Sequence, residues 1–430
     1  MNNKKIVAGL LALTFVFGGA ALPNTKGNNN GVISASAGGY EVYVFDNFEY
    51  IYLENNTVEI TDYIADYYGP DVEIDIPDMI DGYTVSSIGE GAFTDVNAGS
   101  VYIPDGVTNI ADNAFSNSKF ENIYLPMTVK KIGRAAFSGC KSLKCIYIPE
   151  KVTSIDYRTF LNCESLAEVE FGGNVRSIEF SAFEGCTNLE TIDLPKSVEM
   201  IGDSAFKDCK SLKSITIPDG VTTIEACTFE GCKNLNTVIL PDSLESIGNE
   251  VFVNCTSLET LYLPDRLQTI GEGAFFGCTK LKNLYITDNV TEIGEMAFAY
   301  RNRIENEIEP LRNLTIYCYK RSYAQGYAEE NGLMYRFVNY YPEVTKIDYN
   351  EEFHQFRVKW SAVDGAEKYG IAVRLAGKWK VQAYTEAENT TFTSPKLKAK
   401  SKYNMVICAK IDGEWDTSNI SGRAFTVTVK

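Results

Sequence analysis

Residues 209–232 read CKSLKSITIPDGVTTIEACTFEGC, and the same arrangement of residue types returns along more than half of the chain. One member of this arrangement, a phenylalanine, recurs at intervals of 22 residues twice and then of 23 residues seven times. The ten phenylalanines are Phe93, Phe115, Phe137, Phe160, Phe183, Phe206, Phe229, Phe252, Phe275 and Phe298. A fixed period of this length is typical of a solenoid, in which each repeat buries the apolar face of its neighbours.

The recurring positions form the frame C-x-x-L-x-x-I-x-I-P-x-x-V-x-x-I-G-x-x-A-F-x-x-C, and each position has a physical reason. Leu212, Ile215 and Ile217 are separated by polar residues, as in a short strand that buries one of its faces. Pro218 cannot donate a hydrogen bond to a sheet and therefore ends the strand. The sequence predicts one short parallel strand per coil, coils stacked at about 4.8 Å, and an internal ladder of phenylalanine rings.

This frame resembles that of the BspA-like leucine-rich repeat family, and the resemblance covers residues 72–317. It implies a leucine-rich-repeat solenoid that is capped at both ends, because a bare end would expose apolar side chains and strand edges. Residues 38–71 alternate like a hairpin and are interpreted as the N-terminal cap. Residues 318–341 are interpreted as the C-terminal cap, with a short helix over 322–330 and a strand over 334–338.

The composition changes near Pro342, and residues 342–430 contain four alternating segments separated by turn signals. This pattern predicts a β-sandwich. The segment RVKWSAVDGAEKYGIAV resembles part of a fibronectin type III module, with Trp360 in the place of its core tryptophan. Leu397 and Tyr403 are similar to the pair of its tyrosine corner, where Ala399 replaces the usual proline. The predicted fold class is therefore mainly β, a capped solenoid followed by a β-sandwich.

Residues 1–37 have the features of a secretory signal peptide. Lys4 and Lys5 precede an apolar run over residues 6–17, and residues 35–37 form an A-x-A cleavage site. The run is shorter than the about 20 residues of a transmembrane helix. The sequence therefore predicts a secreted, extracellular protein whose mature chain has no transmembrane segment. Association with the cell surface stays open, and the oligomeric state is not predicted.

The charge of the chain argues against nucleic acid as a partner. The formal net charge is −17, and loss of Lys4, Lys5 and Lys26 with the signal peptide would bring it to −20. Residues 342–430 hold 14 Lys and Arg against 11 Asp and Glu, so the negative charge lies in the solenoid. Nucleic-acid binding requires a basic surface track. We therefore expect no nucleic-acid partner.

Seven of the eleven cysteines share one position of the frame: Cys140, Cys163, Cys186, Cys209, Cys232, Cys255 and Cys278. Eleven cysteines in an exported protein first suggest disulfides. The shared position instead favours a ladder of buried free thiols, because free cysteine packs as a small hydrophobe, although some bridges stay open. Cys145 and Cys227 lie outside this position and are the candidates for reactive thiols. The two C-x4-C pairs lack a second pair and a nearby histidine, so neither a metal nor another cofactor is expected.

Candidate catalytic groups are few. His354 is the single histidine, so a Ser-His-Asp or Cys-His arrangement could be built only around it. The sequence contains no G-x-S-x-G, H-E-x-x-H or P-loop motif. A carboxylate pair for glycoside hydrolysis needs a cleft that raises one pKa, and a regular solenoid offers none. The sequence therefore predicts a protein that is not an enzyme.

The outward strand positions carry the strongest functional signal. One residue per repeat, between the last two inward aliphatics, forms the column Asp75, Tyr102, Tyr124, Tyr147, Glu170, Asp193, Thr216, Ile239, Tyr262, Tyr285 and Thr315. Tyrosine offers a partner amphipathic contact area at low entropic cost. The expected ligand-binding residues are Tyr102, Tyr124, Tyr147, Glu170, Asp193, Tyr262 and Tyr285. A structural role also stays open, since tyrosine favours strands and aromatic pairs stabilise sheets.

These observations lead to one main hypothesis and two alternatives. The main hypothesis is a secreted bacterial binding protein without enzymatic activity that presents its strand face to a protein of a host matrix or a neighbouring cell. Its role in adhesion is implied by the family resemblance. The first alternative is a carbohydrate-binding accessory protein of a polysaccharide-degrading secretome. The second is a structural spacer without a specific ligand.

Overall fold

The computed structural model of the chain describes residues 32–35, 41–65, 69–302, 306–338, 341–363, 365–411, 413–417 and 420–429. The fold is mainly β, with a parallel solenoid of about 12 turns over residues 57–337 followed by antiparallel sheets. The predicted fold class is therefore confirmed. The predicted signal peptide lies outside the described residues, apart from residues 32–35.

A short antiparallel sheet covers the first coil of the solenoid. Its strands are β1 (Val32–Ala35), β2 (Glu41–Phe45), β3 (Phe48–Tyr52) and β4 (Thr57–Tyr63). Strand β4 also pairs in parallel with residues 84–88 of the next coil and so joins this sheet to the solenoid. Tyr63, at its end, stacks on Phe93 with 5.5 Å between the ring centroids. The first ring of the phenylalanine ladder is thus shielded from solvent.

Most coils contribute two short strands, whereas the sequence predicted one. The solenoid strands are β5 (Glu73–Asp75), β6 (Met79–Ile80), β7 (Tyr83–Ile88), β8 (Ser100–Tyr102), β9 (Asn109–Ile110), β10 (Asn122–Tyr124), β11 (Lys131–Ile132), β12 (Cys145–Ile148), β13 (Ser154–Ile155), β14 (Glu168–Phe171), β15 (Ser177–Ile178), β16 (Met200–Ile201), β17 (Ser214–Thr216), β18 (Thr223–Ile224), β19 (Thr237–Ile239), β20 (Ser246–Ile247), β21 (Thr269–Ile270), β22 (Asn283–Ile286), β23 (Glu292–Ile293), β24 (Ala299–Arg301), β25 (Ile308–Pro310), β26 (Thr315–Cys318) and β27 (Met334–Phe337). From β9 onward the second strand of a coil has only two residues, too few for an alternating pattern to reveal it.

The first strands of the coils form three parallel sheets along one side of the solenoid. Strands β5, β8, β10, β12 and β14 are neighbours in the first sheet, β17 and β19 in the second, and β22, β26 and β27 in the third. The coils between these sheets each contact the next coil through a single bridge, Thr191 to Ser214 and Thr260 to Asn283. The second strands form separate parallel sheets, among them β18, β20, β21 and β23.

The phenylalanine ladder is confirmed. All ten rings are buried, their neighbouring centroids lie 5.0 to 5.7 Å apart, and their planes differ by 3 to 18°. Offset stacking of this kind adds to the free energy gained by burying the rings. The rings and the inward aliphatic residues belong to one continuous core. This core holds each coil to its two neighbours.

The ladder of buried free thiols is also confirmed. All eleven cysteines have free thiols, and the seven that share the frame position are buried. Each of these thiols donates to the backbone carbonyl of the phenylalanine in the preceding coil, as Cys186 does to Phe160 at 3.2 Å. Ser118 occupies the same frame position and donates to the carbonyl of Phe93 at 2.5 Å. The position therefore supplies one hydrogen bond between successive coils.

A short helix covers the last coil. Helix α1 (Tyr323–Glu330) begins after Ser322, whose hydroxyl accepts a hydrogen bond from the N–H of Gln325 at 3.2 Å. Tyr327 meets Phe298 edge to face at 5.9 Å, and its hydroxyl accepts from the N–H of Ala297 at 3.1 Å. The helix and the strand that follows it lie where the sequence predicted them.

The C-terminal part consists of two antiparallel sheets with a shared core. Its elements are β28 (Val344–Asn350), β29 (Gln355–Trp360), β30 (Lys368–Leu375), β31 (Lys378–Glu386), β32 (Thr391–Thr393), β33 (Lys402–Ile411), β34 (Glu414–Trp415), helix α2 (Ile420–Arg423) and β35 (Phe425–Thr428). Strands β28, β29 and β32 form one sheet, and the remaining strands form the other. Trp360 of the first sheet packs against Tyr369 of the second, with 5.4 Å between the ring centroids. Both side chains are buried.

Candidate binding face of the solenoid

The outward side chains of the first strands form a continuous surface, which we call the strand face. Strands β8 and β10 place Tyr102 directly opposite Tyr124, because Val101 and Ile123 point into the core. The two tyrosine rings are stacked at 4.8 Å with 7° between their planes. Half of the Tyr124 side chain, 51%, is exposed. The regular register of the solenoid thus brings tyrosines of successive coils into contact at the surface.

A second stacked pair lies near the other end of the strand face and corrects the predicted column. Tyr285 stands opposite Tyr317, and their rings stack at 4.6 Å. Thr315, the predicted last member, instead pairs with Asn283. The 23-residue period fails here because the last coil contains the additional hairpin of β24 and β25. Ile316 and Cys318 are both buried, so Tyr317 between them is the outward residue. The sequence Ile316-Tyr317-Cys318 is the signal that would have identified it.

The centre of the strand face is acidic. Tyr147 stands opposite Glu170 on neighbouring strands, and the next coil adds Asp193. Both carboxylate side chains are exposed. Thr216 and Ile239 follow, opposite each other on β17 and β19. The face therefore has aromatic ends and two carboxylates in its middle.

Some of the predicted site residues lie on regular strands and others lie outside them. Tyr102, Tyr124, Tyr147 and Glu170 lie on successive strands of one sheet. Asp193 and Tyr262 lie on the two coils that join the sheets, outside the regular strands. Tyr262 is the most exposed aromatic residue of the solenoid, at 81%.

A row of ion pairs borders the strand face. Its members recur every third coil and join a lysine to a glutamate of the preceding coil: Lys144 to Glu121, Lys213 to Glu190 and Lys282 to Glu259. The hydrogen bond from Lys282 lowers the pKa of Glu259 below its usual value. Each pair lies three residues before a member of the tyrosine column. The lysine and glutamate charges of each pair cancel, so the border adds no net charge to the strand face.

The environment of Cys227 argues against a reactive thiol at this candidate position. Burial, followed by the charges of Glu230 and Glu250, raises the pKa of Cys227 to about 11. The thiol therefore stays protonated at neutral pH, and thiolate is the reactive form. The ligand atoms of these three residues lie within 4.8 Å of one another. However, the Lys207 ammonium already lies 2.6 Å from the Glu230 carboxylate and supplies a positive charge to the cluster.

No catalytic site is evident among the described residues. His354 lies in the turn between β28 and β29, and its backbone carbonyl accepts from the N–H of Leu397 at 3.0 Å. In the described ranges, every helix is too short or too polar to span a membrane.

The solenoid with its regular outward column defines a leucine-rich repeat protein. The profile of the BspA type leucine-rich repeat region matches six copies over residues 72–190 and 176–305, more than half of the chain. The chain therefore belongs to the BspA-type leucine-rich repeat family. A comparison with curated proteins gave no match.

Several solved structures are similar. A leucine-rich cell surface protein from Faecalibacterium prausnitzii is 26% identical, covers 62% of this chain and 96% of its own, and has a TM-score of 0.36. A T. pallidum leucine-rich repeat protein is 30% identical, with 51% of this chain and 90% of its own covered and a TM-score of 0.38. The pneumococcal vaccine antigen PcpA is 19% identical, with coverages of 69% and 98% and a TM-score of 0.39.

Proposed function

We propose that this chain is an extracellular binding protein without enzymatic activity, and that its strand face holds a protein ligand. The observation that carries the proposal is the column of exposed tyrosines with two stacked pairs, Tyr102 with Tyr124 and Tyr285 with Tyr317. Exposed aromatic rings in contact are enriched at protein interfaces, where they bury large areas at low entropic cost. Seven members of the column form the proposed site: Tyr102, Tyr124, Tyr147, Glu170, Asp193, Tyr262 and Tyr285.

The charge of the strand face favours a protein over a glycan, because a neutral sugar has no positive group to pair with the carboxylates of the face. Glu170 and Asp193 add negative charge between the aromatic ends. The expected partner surface therefore has a basic centre between apolar patches.

The remaining parts of the chain support this proposal. The predicted signal peptide over residues 1–37 would direct the protein out of the cell. We assign residues 38–71 and 318–341 as caps of the solenoid over 72–317, with Tyr63 and Tyr327 covering its terminal rings. Residues 342–430 would form a fibronectin type III-like module that acts as a spacer or a second contact. Its core contains Trp360, in agreement with that assignment.

One observation favours the carbohydrate alternative. Tyr262 is 81% exposed, and a ring so accessible could stack on a sugar. In this case the protein would be a carbohydrate-binding accessory of a polysaccharide-degrading secretome. Both classes of ligand are therefore included in the test.

The test screens residues 38–430 against immobilised extracellular matrix proteins and a glycan array, and then repeats the positive assays with two matched variants. The face variant carries Tyr102→Ala, Tyr124→Ala and Tyr147→Ala. The control variant carries three substitutions of exposed residues in the C-terminal sheets, Leu375→Ala, Val381→Ala and Tyr384→Ala.

We expect a matrix protein to bind, the face variant to lose at least about tenfold in affinity, and the control variant to bind like the unmodified protein. Unchanged binding by a folded face variant would refute the role of the strand face. Binding to glycans alone would support the carbohydrate alternative. Absence of binding on both arrays would leave the structural spacer as the remaining hypothesis.

A further inference from the structure

Two neighbouring coils carry aromatic side chains at an outward position that is small, polar or charged elsewhere. The position lies two residues after the second-strand isoleucine and holds Tyr157 and Phe180. The other coils have Glu90, Asp112, Arg134, Asp203, Ala226, Asn249, Glu272 and Glu295 there. The rings of Tyr157 and Phe180 stack at 5.3 Å and are 37% and 38% exposed. This pair lies on the segment that follows the second strand, away from the strand face.

Arg158 completes the arrangement. Its guanidinium carbon lies 4.8 Å from the Tyr157 centroid and 5.8 Å from the Phe180 centroid. Since these distances are close to the separation of the rings, the guanidinium lies beside the pair and leaves the far face of Tyr157 open. Its Nε is buried without a hydrogen-bond partner, which is unusual for a buried donor. Its left-handed φ of 56° is a property of the repeat, since Ala135 and Ser181 at the equivalent position have φ of 50° and 53°.

Tyr157 borders a concavity of about 680 Å³. Its lining comes from four successive coils, and the preceding coil contributes the small side chain of Ala135. Asp112 accepts from the backbone N–H of Arg134 at 2.9 Å, and Asp156 accepts from that of Tyr157 at 2.7 Å. Both carboxylates are thus fixed at the rim. The volume falls within the about 300–1,000 Å³ typical of small-molecule sites.

We propose that this concavity binds a neutral saccharide, with one pyranose ring on the free face of Tyr157. A pyranose has an apolar face for the aromatic ring and hydroxyl groups that both donate and accept hydrogen bonds. The rim offers matching partners, because Arg134 and Arg158 donate while Asp112 and Asp156 accept. An anionic ligand would meet the carboxylates, and a cationic ligand would meet the guanidinium groups.

This site is independent of the proposed protein-binding face, and separate variants distinguish the two. The experiment titrates residues 38–430 with cellotriose, maltotriose, chitotriose and the anionic trigalacturonate, using calorimetry and saturation-transfer NMR. Tyr157→Ala removes the stacking surface. Arg134→Ala removes a rim donor whose side chain is 69% exposed, so this variant preserves the fold. Tyr384→Ala, an exposed tyrosine of the C-terminal sheets, is the matched control.

We expect at least one neutral trisaccharide to bind saturably, with the strongest NMR transfer at the ring protons of one sugar face. Tyr157→Ala should lower the affinity by at least about tenfold, Arg134→Ala by a smaller factor, and Tyr384→Ala should leave it unchanged. The proposal is overturned if no neutral sugar saturates the protein in the millimolar range, or if only trigalacturonate binds. It is equally overturned if binding survives both Tyr157→Ala and Arg134→Ala in folded protein.

Discussion

The solenoid and the C-terminal sheets both bury apolar strands, but the residues that meet in their cores are separated differently in sequence. Core contacts in the solenoid join residues one coil apart, whereas those in the sheets also join strands that lie further apart in sequence. In the solenoid, Phe160 contacts Phe137 and Phe183, each one coil away. In the C-terminal sheets, β29 pairs with β32, and β33 pairs with both β30 and β35. The comparison teaches that damage to one coil should stay local, whereas damage to the sheets should disrupt the whole unit.

The largest effect expected in the solenoid comes from Phe183→Ala. Loss of a buried ring between two stacked neighbours should cost about 3–5 kcal/mol of unfolding free energy. Hydrogen exchange should accelerate in the coils around residue 183 while residues 344–428 keep their protection. Simultaneous loss of protection in the C-terminal sheets would contradict the separation of the two cores.

The matching change in the C-terminal sheets is Trp360→Ala, with a similar cost of about 3–5 kcal/mol. Trp360 lies in the core shared by both sheets, so all of their strands should lose protection together. The solenoid should exchange as in the unmodified protein. If only β29 lost protection, the sheets would not be one cooperative unit.

Alkaline pH should destabilise the solenoid more than the sheets. Burial raises the pKa of all seven ladder thiols in the folded protein, whereas thiols of the unfolded chain ionise near about pH 8.5. Above that pH the unfolded state binds fewer protons than the folded state. The stability contributed by each thiol is therefore complete below about pH 8.5 and is lost as the pH rises, by up to about 1.4 kcal/mol per pH unit.

This pH dependence can be followed by urea unfolding at pH 7, 9 and 10, with hydrogen exchange to assign the melting regions. The ladder variant Cys186→Ser should reduce the slope near its own coil. The C-terminal sheets contain only Cys408 and serve as the internal control. Equal loss of stability in both regions would contradict the assignment of this pH dependence to the ladder thiols.

A smaller effect should distinguish two substitutions of one ladder thiol. Cys186→Ala removes one of two hydrogen bonds to the buried carbonyl of Phe160, which still accepts from the N–H of Cys163, and should cost about 0.5–1.5 kcal/mol. Cys186→Ser keeps a donor, as Ser118 does naturally in the same frame position. Chemical unfolding at pH 7 should therefore rank the alanine variant below the serine variant. The reverse order would show that the intercoil hydrogen bond contributes little.

Features set by the local period could be predicted from the sequence, and those set by neighbouring coils could not. The phenylalanine ladder, the buried thiols and the helix after Ser322 each follow from residue spacing. Tyr317 was missed because an additional hairpin interrupts the period. The pKa of Cys227 depends on Glu250, one coil further along, and the Tyr157 concavity depends on side chains of four coils. The tyrosine column lies on the surface as expected, and its role in binding stays a prediction.

Hydroxyl-radical footprinting of the protein with a ligand from the matrix array tests the central claim most directly. Tyr124 and Tyr285 of the strand face and Tyr384 of the C-terminal sheets are exposed at 51%, 40% and 61%, so all three should be oxidised in the free protein. We expect the bound ligand to protect Tyr124 and Tyr285 and to leave Tyr384 reactive. Protection of Tyr384 with continued oxidation of Tyr124 and Tyr285 would contradict the account.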